Sequence, residues 1–183
     1  MRGRLALALA LATVVLPCMS ADPVQLPKDG EGKVVFQEPF MVENVAEPEL
    51  YARAKAWIKA KCSPQTIMMT DMTDGQTQAT ISLKDSFPAH QIAKGNQLIV
   101  YFILTIETRE SRARTTFNGF TVATTQDLRQ TPLEMCLETA SATPGTDKLP
   151  GEISAKVQSI TADLKAALSV PAPAAPAPAA KPG

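Results

Sequence analysis

Residues 98–106, Leu-Ile-Val-Tyr-Phe-Ile-Leu-Thr-Ile, form the longest stretch of branched and aromatic residues outside the amino-terminal segment, a composition that favours a β-strand. Alternation puts Leu98, Val100, Phe102, Leu104 and Ile106 on one face and Ile99, Tyr101, Ile103, Thr105 and Glu107 on the other. The first set is wholly apolar. The second turns polar towards its end, so part of it is expected to be covered, by a partner if not by the chain itself. Thr108, Arg109, Glu110 and Ser111 are too polar to bury, and strand character returns at Arg114 to Phe117, which predicts a long antiparallel hairpin. Phe117 and then Phe120 and Val122 break the alternation across Asn118-Gly119, the mark of a β-bulge.

The remaining periodicities surround this hairpin. Residues 34–42 read as a first strand, with Pro39 at an edge or bulge because it lacks an N–H for the ladder. A helix is predicted from Ala46 to Lys61: Pro48 and Glu49 suit its first turn, and Leu50, Ala54, Trp57, Ile58 and Lys61 recur at helical spacing, with Arg53, Lys55 and Lys59 off that stripe. Residues 66–72 and 78–83 are expected to pair through Asp74-Gly75, both of which tolerate positive φ. Residues 87–95 read as a loop or an irregular continuation. Residues 131–137 suggest a short helix, and Ile153, Val157, Ile160, Leu164 and Leu168 give a last helix over 150–168 its apolar stripe. The order is β-α-β-β-β-β-α. Two amphipathic helices on one face of a five-stranded, mainly antiparallel sheet make an α+β two-layer domain over residues 26–169. The polar, turn-rich stretch 21–33 reads as a mobile lead-in, and residues 170–183, almost only Pro and Ala, as a disordered tail.

Composition changes the picture at the amino terminus. Arg2 and Arg4 precede an apolar run over 5–16, Pro17 ends it, and Ser20 and Ala21 offer a cleavage site, so residues 1–20 read as a signal peptide. The run falls short of the roughly 20 residues a membrane span requires. Lipid attachment at Cys18 is the rival, disfavoured because Pro17 distorts the extended backbone a peptidase would read. Cleavage removes two arginines from a balanced 18 basic and 18 acidic residues, leaving a mature net charge of about −2. No basic surplus remains for phosphates, so nucleic acid is not an expected partner. Export permits a disulfide between Cys62 and Cys136; two unrelated half-buried thiols are the plainer reading.

One resemblance is visible. Gly32-Lys33-Val34-Val35-Phe36, then Pro48-Glu49-Leu50-Tyr51-Ala52-Arg53-Ala54-Lys55-Ala56-Trp57-Ile58, then Arg112-Ala113-Arg114-Thr115-Thr116-Phe117, resembles a family of exported bacterial proteins known as a domain of unknown function with a TATA-box-binding-protein-like (TBP-like) fold. The resemblance covers about residues 26–122 and implies strand, helix, four strands and helix. Two positions depart from the family pattern: Ala113 stands where a tyrosine is common, and Ala46 where a small hydroxyl residue would cap the helix. The family brings no activity, cofactor or functional residue, and the fold name does not imply DNA binding.

Candidate chemistry is sparse. His90 is the only histidine and has no partner of metal-ligand spacing. Asp71 to Gly75 lacks the closing glutamate of a calcium loop. Ser82, Ser86 and Ser111 lack a nucleophile context, and Cys62 and Cys136 lack Cys-x-x-Cys spacing. No catalytic residue, metal site or cofactor is expected. Arg109, Arg112 and Arg114 form the densest basic cluster; two of them share a strand face and could hold an anion, although Glu107 and Glu110 suit a solvated salt-bridge ladder better. The expected function is a non-enzymatic binding or accessory module of the bacterial cell envelope. It would be periplasmic or secreted and would act on an envelope protein or small ligand through Tyr101, Ile103, Arg112 and Arg114. The alternative is a small-molecule carrier or unrecognised hydrolase with a cleft near Trp57 and His90.

Overall fold

A computed structural model describes residues 24–61, 79–139 and 145–170, and the backbone of residues 69–73. The expected signal segment, Cys18, Cys62, the Asp74-Gly75 turn and the Pro/Ala tail lie outside the described residues.

The long hairpin forms as the alternation demands. Strand β4 (Asn96–Arg109) is central, and all five residues of its apolar set, Leu98 to Ile106, are buried. It pairs on one side with β5 (Arg112–Thr124) and on the other with β3 (Ala79–Ala93). The outer strands are β1 (Phe36–Met41), antiparallel to β5, and β2 (Met69–Thr73), antiparallel to β3. The sheet order is therefore β1-β5-β4-β3-β2, with a two-residue β6 (Thr131–Pro132) added to β5 beyond β1. The bulge lies where parity breaks: Tyr101 pairs with Thr121 but Ile103 with Asn118, so one extra β5 residue keeps both Phe117 and Phe120 in the core.

Helix α1 (Glu47–Lys61) and helix α3 (Leu149–Ser169) lie on the same face of the sheet, on the buried side of β3 and β4. The Ala46 carbonyl accepts the Leu50 N–H at 3.0 Å, the first intrahelical bond of α1. Leu50, Ala54 and Ile58 from α1 meet Leu149, Ile153, Val157, Leu164 and Leu168 from α3 in a single core with the sheet. At its centre the Phe102 ring lies 6.2, 5.8 and 6.1 Å from those of Phe87, Phe117 and Phe120, spacings suited to tilted and offset aromatic contact. A short α2 (Leu133–Glu138) buries Leu133, and its Glu134 accepts the Val34 N–H at 2.7 Å.

Two expectations are corrected, and a third, left between two forms, is resolved. Arg53, placed off the α1 stripe, is buried: its guanidinium donates to the Leu168 carbonyl and to Glu49, both at 2.5 Å. It thereby satisfies a carbonyl of the last turn of α3, which has no partner within its own helix. Of the two forms expected for residues 87–95, the structure has the irregular continuation: β3 runs on as strand to Ala93, because Phe87 enters the core and pairing with β4 survives register shifts after Pro88 and Gln91. The lead-in is a hydrogen-bonded turn from Lys28 onward, with Asp29 accepting the N–H groups of Glu31 and Lys33 at 2.9 Å.

Candidate functional site

With both long helices on one face, the described residues leave the other face of the sheet open. Its side chains follow from the register. Across the middle, Tyr101 stands between Ser86 and Thr121, and Ile103 between Lys84 and Asn118. Tyr101 is half-buried, and Ile103 is 38% exposed. Gly119, at φ 61°, lies under Ile103: a Cβ there would come within 3.2 Å of Cδ1.

Towards the β4–β5 turn the open face becomes charged. Glu107 pairs in register with Arg114, and Arg109 with Arg112. Arg114 Nε donates to the Glu107 carboxylate, a bond that raises the affinity of the guanidinium for its proton. The expected salt bridge across the strands is present between these two residues. Strand β1 completes the surroundings, with Pro39 opposite Arg114 and Met41 opposite Arg112. These six residues, with Phe40 and Ala113, line a cavity of about 460 Å³. The turn is fixed from outside. Ser111, at φ 55°, donates its N–H to the Val45 carbonyl, and its own carbonyl accepts the Val42 N–H, both at 3.0 Å.

The four residues expected to bind a partner thus share one face but fall into two groups. Tyr101 and Ile103 occupy the middle, whereas Arg112 and Arg114 belong to the cavity at the turn. Sequence reasoning missed Pro39 and Met41, whose pairing with the arginines joins positions far apart in the chain. The one local signal was the proline, which marked β1 as an edge.

The Trp57–His90 cleft is corrected. A cleft of about 350 Å³ does open beside Trp57, between α1, α3 and β3, with Lys61, Asp85, Lys156, Ser159 and Asp163 among its lining residues. His90 does not line it. It lies five residues beyond Asp85 along β3, roughly 16 Å at the rise of a strand, where it packs against Gly145 and sits 3.8 Å from Glu152. In the cleft, Asp163 accepts the Trp57 indole N–H at 3.0 Å and the Lys61 ammonium at 2.9 Å. Those bonds hold its carboxyl below the usual range, Lys61 contributing most.

Cys136 carries a free, half-buried thiol whose pKa is pushed up by burial and by Glu134. Met135, on the same short helix, is 56% exposed. Among the described residues no cluster of metal-ligating side chains occurs, and no helix is long and apolar enough to cross a membrane.

An antiparallel sheet with helices on one face only, and with its recognisable side chains on the other, defines a two-layer α+β domain of the TBP-like kind. Residues 36–123 match the family described as a domain of unknown function (DUF4468) with TBP-like fold. Two solved structures share the fold. A TBP-like protein from Parabacteroides distasonis superposes with a TM-score of 0.63 at 14% identity, covering 80% of this chain and 98% of its own. A DUF4468 family protein from Bacteroides ovatus gives 0.61 at 12% identity, covering 80% and 91%. No curated protein matches the sequence significantly.

Proposed function

We propose that the protein is a non-enzymatic binding module of the bacterial envelope, acting through the open face of its sheet. The observation that carries this reading is the sidedness of the molecule. Two helices cover one face, while the other keeps Ile103 exposed and Tyr101 half-exposed on rigid, centrally paired backbone. Flat, preformed surfaces of this kind suit binding because little has to be ordered on association. The signal-like run that starts with Arg2 and Arg4 supports an envelope location.

The test is site-specific photo-crosslinking in intact cells, with the reactive group at Ile103 and a control at Lys59 on the exposed side of α1. One recurrent adduct from position 103 and none from 59 is expected. Identical patterns from both positions, or turnover of a substrate by the purified protein, would overturn the reading.

A further inference from the structure

The cleft between α1, α3 and β3 holds a carboxylate and an ammonium that the fold leaves apart. We propose that it binds a free α-amino acid with an apolar side chain, its ammonium at Asp85, its carboxylate at Lys156 and its side chain on the apolar floor.

Asp85 is out of place in its own strand. Ala79, Ile81, Leu83 and Phe87 alternate onto the helix-covered face of β3, and all four are buried. Asp85 occupies the same row, in register with Phe102, where the pattern of a core-facing strand calls for an apolar residue. It is half-buried there, and it accepts a hydrogen bond from its chain neighbour, the Ser86 N–H, at 2.7 Å. Among the described residues no cation forms an ion pair with it. A carboxylate withdrawn from water beside an apolar floor is unfavourable until a positive group meets it.

The rest of the charge in the cleft narrows the ligand. Lys61, Asp85, Lys156 and Asp163 line it. Lys61 and Asp163 neutralise one another at 2.9 Å and tie α1 to α3 at one end. Lys156 lies two turns before Asp163 on α3, roughly 10 Å along the helix. Its ammonium stands 5.8 Å from the centre of the Phe87 ring, and Phe87 follows Asp85 by two positions on the same face of β3. Lys156 is exposed and, among the described residues, forms no ion pair with Asp85 or any other carboxylate. An amine alone would meet repulsion from Lys156, and a carboxylate alone repulsion from Asp85. A molecule carrying both charges on one carbon bridges the two. Leu83, Phe102 and Leu104 form the floor, and Trp57 and Ile160 add apolar wall. The volume of about 350 Å³ is that of a small-molecule site.

L-leucine is the probe, titrated at neutral pH into the full chain and followed by calorimetry and by the fluorescence of Trp57, the only tryptophan. The controls are 3-methylbutylamine and 4-methylpentanoate, which each lack one charge, and glycine, which lacks the side chain. Leucine should bind saturably and shift the Trp57 emission, with each control weaker by roughly tenfold or more. Asp85→Asn and Lys156→Gln should each raise the leucine Kd by a similar factor, with melting temperatures showing the variants folded. Should Asp85→Asn unfold, the exposed Lys156 variant decides. No saturable heat from leucine, a singly charged control binding as tightly, or a Kd unchanged in Lys156→Gln would overturn the proposal. The site lies on the face opposite Ile103. Leucine failing while Ile103 still crosslinks removes this inference alone; leucine binding with Ile103 silent leaves the cleft standing and removes the other reading.

Discussion

Asp163 has no burial to protect it, yet its carboxylate holds two partners, the Trp57 indole and Lys61. Its pKa in the folded chain lies below the ordinary 3.8, so the bonds stabilise the fold fully above that value and are lost as pH falls through the lowered one. Trp57 is the only tryptophan, which makes the event visible. Its fluorescence should change in a step below pH 3.8, with the fold retained by circular dichroism, and Asp163→Asn should abolish the step. A step that persists in that variant would place its origin elsewhere. The Trp57 position on a helix was legible from spacing, but its partner was not, because Asp163 lies on a different helix and only packing brings the two together. Arg53 shows the same limit: a charged residue between apolar ones reads as surface until a carbonyl from α3 is found against it.

At the scale of elements, the bulge in β5 is the feature that periodicity foretold best, since Phe117 and Phe120 could not both face the core without an extra residue. Gly119 makes it possible. Its φ of 61° is a conformation that costs a side chain roughly 1–2 kcal/mol, and a Cβ would also press on Ile103. Gly119→Ala should lower the stability measured by urea unfolding by about 1–2 kcal/mol. Adding Ile103→Ala should recover only the contact part. No loss at all would mean that the strand can re-register. Whether β3 extends through residue 93 was left open by the sequence for the opposite reason. Pro88 and His90 interrupt the pattern locally, and the pairing that overrides them comes from β4.

Over the whole molecule, the layer order and helix placement were legible because the apolar stripes of α1 and α3 need one shared surface. The binding face was only half legible: alternation exposed Tyr101 and Ile103, while the cavity required knowing that β1 pairs with β5. Since α1, α3 and the sheet contribute to one core, they should unfold together. Leu164, fully buried in α3, should cost about 2–5 kcal/mol when replaced by alanine. Trp57 fluorescence and far-ultraviolet circular dichroism should report the same lowered urea midpoint. Separate midpoints would show that the helices leave the sheet on their own.

The pairing of β1 with β5 also orders events in time. The Thr115 hydroxyl donates to the Glu38 carbonyl across 77 positions of chain, so during synthesis β1 has no strand to join until β5 emerges. At ribosomal speeds this delay is roughly 4–15 s. Strands β3, β4 and β5 are sequential neighbours and can zip as each appears, whereas β1 must wait and then dock along the finished edge. Met41 and Pro39 arrive with it. The pocket beside the arginines therefore cannot form until the fifth strand has been made.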